Sequence, residues 1–211
     1  MNSEFASSNL TIGQINAIVK KLGGHEAALK FLRGEITVSE PTKKYREENG
    51  VVYFSVTSDG TTGAQWIERL TKKGFRVGDY AKQLLLSDDF KTTNNVITEI
   101  AVLEGMLFGD KNRTTKNIRI EADKRNLSKP NAEVSCLIRE MFTDKELEVM
   151  GLYYIVIMHE AIKDSGGGSG LLSVNRDDDG SWLNTYYDKP DDQWDREDGF
   201  AFAVSQVDLK S

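Results

Sequence analysis

Cysteine, histidine and proline are scarce in this chain of 211 residues, which has one cysteine, two histidines and three prolines. A lone thiol, Cys136, makes no intramolecular disulfide and no multi-thiolate zinc site, and two histidines leave little material for a transition-metal centre. A reducing, cytoplasmic compartment is the expectation. Long apolar runs are missing as well. The longest candidate, "GLYYIVIM", is flanked by charge and falls far short of the roughly 18 residues that a membrane span needs, so a soluble protein without a membrane partner is expected. The opening "MNSEFASSNLTIG" has neither a basic n-region nor an apolar h-region, and residues 1–9 read as a disordered tail or cloning scar rather than a secretory signal. No phosphate-binding loop is present either. "DSGGGSG" lacks the lysine and following helix of a P-loop and reads as a flexible connector, and no Gly-x-Ser-x-Gly elbow occurs.

Charge is present but unevenly placed. The net charge is −6, yet residues 164–211 alone hold eleven acidic and four basic residues, so the remainder is close to neutral. Such an acidic end repels a phosphate backbone and attracts a cation or a basic partner. The basic stretch Lys111 to Lys129 holds seven basic and two acidic residues without interleaved aromatics. With a sequence pI of about 5.1, nucleic acid is an unlikely partner by this reading.

Apolar periodicity outlines the elements. Ile12, Ile15, Val19 and Leu22 form a helical stripe, Gly23-Gly24 stops it, and "HEAALKFLRGE" resumes a shorter helix, which together predict a helical hairpin over 10–40 with the stripe packed. The polar "SEPTKKYREENG" reads as a linker with a domain boundary near Glu40, and residues 41–211 form the main domain. "VVYFSVTS" reads as a strand from its β-branched and aromatic content. In "SDGTTGAQWIERLTKKG", Thr62 and Gln65 form a capping box and Trp66, Ile67 and Leu70 a buried stripe. "GDYAKQLLLS" reads as a short helix with Tyr80, Leu84 and Leu85 inward. "VITEIAVLEGMLF" reads as a strand, and "NRTTKNIRIEADKRN" and "PNAEVSCLIREMFTDKELEVMG" as two helices, the second with Pro130 near its first turn. "LYYIVIMHEAI", "GLLSVN" and "FAFAVSQV" read as strands. Helices early and in the middle with strands late predict an α+β fold: an N-terminal helical hairpin, central helices, and a largely antiparallel sheet built mainly from C-terminal strands.

Candidate chemistry concentrates late in the chain. In "VNRDDDGSWL", Asn175, Asp177 and Asp179 precede Gly180 at the spacing of the first half of a calcium loop. The second half departs from that pattern, since position twelve is Tyr186 rather than glutamate, and an acidic turn explains the stretch as well. No cofactor is expected beyond a divalent cation here. His159 and Glu160 point to opposite faces if their segment is a strand, and Lys163 stands where a zinc protease has its second histidine. Cys136 falls nearly opposite the apolar face of Val134, Leu137, Ile138 and Met141, and nothing in the spacing joins it to His159. Trp182, Tyr186, Tyr187, Trp194, Phe200 and Phe202 alternate with aspartates including Asp188, Asp191, Asp192, Asp195 and Asp198. Aromatic faces beside carboxylates suit a sugar or a cationic group, and from this set Trp182, Tyr186, Tyr187, Trp194 and Asp195 are the candidate ligand residues.

Three stretches, "GVVYFSVTSDGTTGAQWIERLTKKGFRVGDYAKQLLLSDDF", "KPNAEVSCLIREMFTDKELEVMGL" and "DGFAFAVSQV", resemble those of uncharacterised bacterial proteins. The resemblance implies no fold, activity or site residue. The residues themselves favour a non-catalytic binding protein that meets a protein partner through its acidic, aromatic C-terminal region. The alternatives are a hydrolase using carboxylates of residues 177–198, with or without a divalent cation, and a carbohydrate-binding protein.

Overall fold

A computed structural model describes residues 10–38, 43–177 and 179–205. The expected tail at 1–9 and the first four residues of the linker, through Thr42, lie outside the described residues. Contacts divide the chain into two units, Met1–Lys43 and Lys44–Ser211. In the first, α1 (Ile12–Lys21) starts at a Thr11–Gln14 capping box and α2 (His25–Leu32) follows Gly23 and Gly24, both at positive φ. The predicted hairpin elements are there, but the stripe is not packed: α1 has no buried residue, α2 buries Ala28 alone, and Ile12 and Ile15 are exposed. Two helices of this length have too little facing surface to build a core between them.

The second unit is α+β. Its elements are β1 (Arg46–Glu48), β2 (Val51–Asp59), α3 (Gly63–Lys72), β3 (Arg76–Val77), α4 (Asp79–Leu85), β4 (Asn94–Glu104), α5 (Thr115–Lys124), β5 (Leu127–Ser128), α6 (Val134–Met141), α7 (Asp144–Val149), β6 (Tyr154–Ile157), β7 (Ile162–Lys163), β8 (Ser169–Asp177), β9 (Gly180–Tyr187) and β10 (Asp198–Val204). The strands form one sheet in the order β1-β2-β4-β10-β6-β8-β9-β3, with β5 on β10 and β7 on β8. Among the described residues, only β10/β6 and β3/β9 are parallel. The last strand, β10, lies in the middle and joins the long β2–β4 pair to the β6–β8–β9 group.

Alternation along the strands makes two cores, one on each face. Val52, Phe54, Ile100, Val102, Ala201, Ile155 and Val174 face the first, which is closed by Trp66 and Leu70 of α3, Leu84 and Leu85 of α4, Ile138 of α6 and Leu147 of α7. Val51, Ala101, Leu103, Val156, Leu171, Phe200 and Phe202 face the second, which is closed by Ile118 and Ala122 of α5 and by Trp194. A buried arginine ties the first layer down. Arg139 is fully inaccessible, and its guanidinium donates to the Asn175 carbonyl at 3.2 Å and the Phe142 carbonyl at 2.6 Å, and meets Asp144 at 3.0 Å.

Several local expectations are corrected. The second half of the linker is β1, hairpinned onto β2 through Asn49-Gly50, both at positive φ as a tight two-residue turn requires. The stretch "PNAEVSCLIREMFTDKELEVMG" holds two helices: the one expected from about Asn131 to Phe142 is α6, Phe142 is extended, and α7 restarts at a Thr143–Glu146 capping box; Pro130 precedes α6 by several residues. The strand expected over "LYYIVIMHEAI" is two, β6 and β7, with His159 between them. Tyr80 is not inward but 54% exposed, because α4 turns Ala81, Leu84 and Leu85 to the sheet. The Thr62–Gln65 box stands as read, with Trp66 and Leu70 buried and Ile67 half-buried. No helix among the described residues is long and apolar enough to cross a membrane.

Candidate functional site

The edge of the sheet at β9 is built by short-range constraints. Arg76 and Val77 of β3 pair in parallel with Trp182 and Leu183, and the Gly78 amide then donates to the Leu183 carbonyl at 2.9 Å. A Cβ on Gly78 would come 2.6 Å from Asn184 Oδ1, so glycine lets α4 begin directly against β9. Burial of Leu84 and Leu85 fixes the roll of α4 and leaves Tyr80 at the surface, near Tyr187, which is 48% exposed.

The glycine-rich connector is not a loose linker. Asp164 Oδ1 accepts from the amides of Gly166 and Gly168, each at 2.8 Å, and the Ser165 amide donates to Gln83 Oε1 of α4 at 3.1 Å. A Cβ on Gly168 would lie 2.6 Å from Tyr187 Cε1, so the bare backbone is what admits the tyrosine ring. Between these parts is a recess of about 180 Å³ lined by Tyr80, Leu84, Asp164, Asn184 and Tyr187 among others. The negative charge of Asp164, and then Tyr80, raise the Tyr187 phenol pKa above its usual value. The recess offers two exposed aromatic side chains, a carboxylate, an amide and a hydroxyl.

Trp182 lines a neighbouring recess of about 410 Å³ with Phe75, Arg76 and Lys82. The Arg76 guanidinium sits 5.2 Å from the centre of the Trp182 ring and 2.8 Å from Asp179, and the Trp182 indole donates to Asp179 at 3.2 Å. Tyr186 reaches inward, packing edge-on against Trp194 at 5.0 Å and Tyr154 at 5.5 Å. Trp194 is 7% exposed, stacks edge-on with Phe200 and donates to Thr115 Oγ1 at 2.9 Å, so it is a core residue with no face open to a ligand. Asp195 is exposed beside it, outside both recesses. Of the five candidate ligand residues, the structure brings the Tyr187 ring to one recess and Trp182 to another, turns the ring of Tyr186 inward although that residue borders the first recess, and leaves Trp194 and Asp195 in neither.

The residues of the acidic turn also part. Asn175 is buried in β8 and donates to Asp177 at 2.8 Å, Tyr153 donates to the other oxygen of Asp177 at 3.0 Å, and Asp179 belongs to Arg76 and Trp182. Asp178 lies outside the described residues. Among the described residues no three His, Cys, Asp or Glu side chains are grouped to hold a metal ion.

Cys136, His159 and Asp198 have large shifts and are enclosed, while the exposed Asp59 is held down to about 2 by hydrogen bonds from Thr61 and Arg69. Burial pushes the Cys136 thiol up, far from a thiolate at neutral pH, and the side chain is inaccessible. Burial lowers His159 to about 4, and the ring is satisfied by the Leu172 amide at 2.9 Å and the Glu160 carbonyl at 2.6 Å. Glu160 is exposed and paired with Lys129. Burial raises Asp198 to about 6, while its carboxylate accepts from the Asp195 amide at 2.8 Å. No protein-family model matches this chain, and no match was found among curated proteins or solved structures.

Sequence reading missed Tyr80, Asp164 and Gly168. The one local signal was an aspartate directly before a Ser-Gly-Gly-Gly run, the composition of a side-chain-capped turn. That the turn meets Tyr187 depends on the pairing of β8 with β9.

Proposed function

We propose that this chain is a non-catalytic binding protein that meets a protein partner through the edge formed by α4 and β9. The observation that carries the reading is the pair Tyr80 and Tyr187, about half exposed, over a preformed recess. Clustered tyrosines beside a concave surface are the residue type that dominates protein contact energetics, since they offer large rigid area at small entropic cost. The reading places the protein in a reducing, cytoplasmic compartment, which the single buried cysteine favours.

Binding is favoured over hydrolysis by how the carboxylates of residues 177–198 are used. Asp177 is held by Tyr153 and Asn175, Asp188 by Arg119 at 2.9 Å, and Asp198 is 5% exposed. A general acid and base must both reach one substrate. A carbohydrate reading keeps the same recess with sugar stacked on the tyrosines.

The test is photo-cross-linking in cells that express the chain natively, with p-benzoylphenylalanine in place of Tyr80, and in place of Lys124 on the opposite face as control. A discrete protein adduct from the Tyr80 position alone is the expected result. No adduct, or equal adducts from both positions, overturns the proposal.

A further inference from the structure

Resting on that reading, we infer that the recess between α4 and β9 receives a basic side chain of the protein partner, a lysine or arginine whose cation lies over the tyrosine rings and whose charge meets Asp164. Three observations converge on a cation rather than a neutral group.

The first is the combination of walls. Tyr80 and Tyr187 stand at the surface beside Asp164, and aromatic faces carry the negative end of the ring quadrupole, which attracts a positive charge. The carboxylate adds a full negative charge at the same place. One of its oxygens is used by the amides of Gly166 and Gly168, which fixes its direction, and among the described residues no lysine or arginine is ion-paired with it. A fixed carboxylate without a salt-bridge partner, next to two aromatic side chains, is a pre-organised acceptor for an ammonium or guanidinium.

The second observation is a cation that the chain itself sets on one of the rings. Lys189 Nζ lies over the Tyr187 ring, 5.7 Å from its centre. The exposed face of this tyrosine therefore already takes a cation, at the long end of the useful range. Lys189 is not among the residues that line the recess, and a partner cation over the same ring competes with it there.

The third is the long-range field. Residues 164–211 hold eleven acidic and four basic residues. An excess of negative charge in the segment that contains Asp164 and Tyr187 steers basic segments toward it.

The experiment is an amide-resolved NMR titration of the full chain with the peptide acetyl-Ala-Ala-Lys-Ala-Ala-amide, its arginine form, and its norleucine form as a neutral control of similar shape. The expected result is saturable movement of the Gly168, Asn184, Thr185 and Tyr187 amide signals with the lysine or arginine peptide and not with norleucine. Asp164→Asn and Tyr187→Leu should each weaken binding about tenfold, and Lys189→Gln should strengthen it two- to threefold by removing the internal competitor. The same spectra show whether each variant is folded, and the two losing variants check each other. Equal response to norleucine, unchanged binding by Asp164→Asn, or movement of these signals by maltose in place of the basic peptides overturns the inference. An adduct from the Tyr80 position without any response to the peptides overturns the cation assignment and leaves the binding reading standing; loss of both results removes both.

Discussion

β9 with the turn that leads into it and the loop that follows it each set a tryptophan close to aspartate, and they end in opposite surroundings. In the loop, Trp194 lies between Tyr186 and Phe200 and hydrogen-bonds to Thr115 at the start of α5, and Asp198, where the loop enters β10, is buried as well. In β9 and its turn, Trp182 and Asp179 share the Arg76 guanidinium at the surface, and Tyr187 stands beside an open recess. Each holds a single tryptophan within three residues of an aspartate. What differs is the covering layer: α5 closes the sheet over the loop's aromatics, while β3, two residues long, and α4 leave the β9 edge half open. An acidic aromatic segment is thus part core and part exposed edge, and in the proposed function only the edge part meets a partner.

The sharpest way to break this comparison is truncation of the two tryptophans. Trp194→Ala is expected to cost about 3–5 kcal/mol in denaturant unfolding, the range for emptying a buried aromatic site. Trp182→Ala should stay within about 1 kcal/mol, as for a half-exposed residue. Similar losses at both positions would mean that the edge is as much core as the loop.

A second prediction uses pH. Asp198 titrates at about 6 in the folded chain against an ordinary value of 3.8. The folded state therefore binds a proton more tightly than the unfolded one, and the stability this gives is complete below pH 3.8 and lost as pH rises through 6. Asp198→Asn keeps an acceptor for the Asp195 amide without the charge. It should stabilise the protein at pH 8 by up to about 3 kcal/mol, because each tenfold difference in proton affinity between the two states is worth about 1.4 kcal/mol, with no gain at pH 4. Urea melts of both proteins across that range measure it, and parallel curves would show that Asp198 is effectively solvated.

The smallest effects are expected at the turn. Asp179→Asn breaks an exposed pair with Arg76 and should change stability by less than about 1 kcal/mol. Calcium in excess should leave the melting midpoint where it was, because Asp177 and Asp179 are held by different partners. A saturable rise that disappears on replacing Asp177 and Asp179 by alanine would return the turn to the cation reading and favour a metal-dependent enzyme.

Much of the fold was legible where the deciding contacts are local. The Thr62–Gln65 box needs residues three apart, and the capped helix formed as read. Asn49-Gly50 was equally local, but the charged residues before it read as linker. The site was less legible. Tyr187 was noticed for its type, but Asp164 lies 23 residues earlier in sequence and meets it only because Gly170 pairs with Tyr187 across β8 and β9. Tyr80 reached the same place through the packing of Leu84, a property of the helix's neighbours.

By itself the sequence determined periodicity, caps, turns and the acidic bias of the C-terminal quarter, since these depend on residue type and on neighbours a few positions away. Only the tertiary structure decided which aromatics are core and which are surface. That choice depends on which element from elsewhere in the chain closes over each face, and it is α5, some seventy residues before Trp194 in sequence, that buries the one tryptophan and leaves the other at the edge.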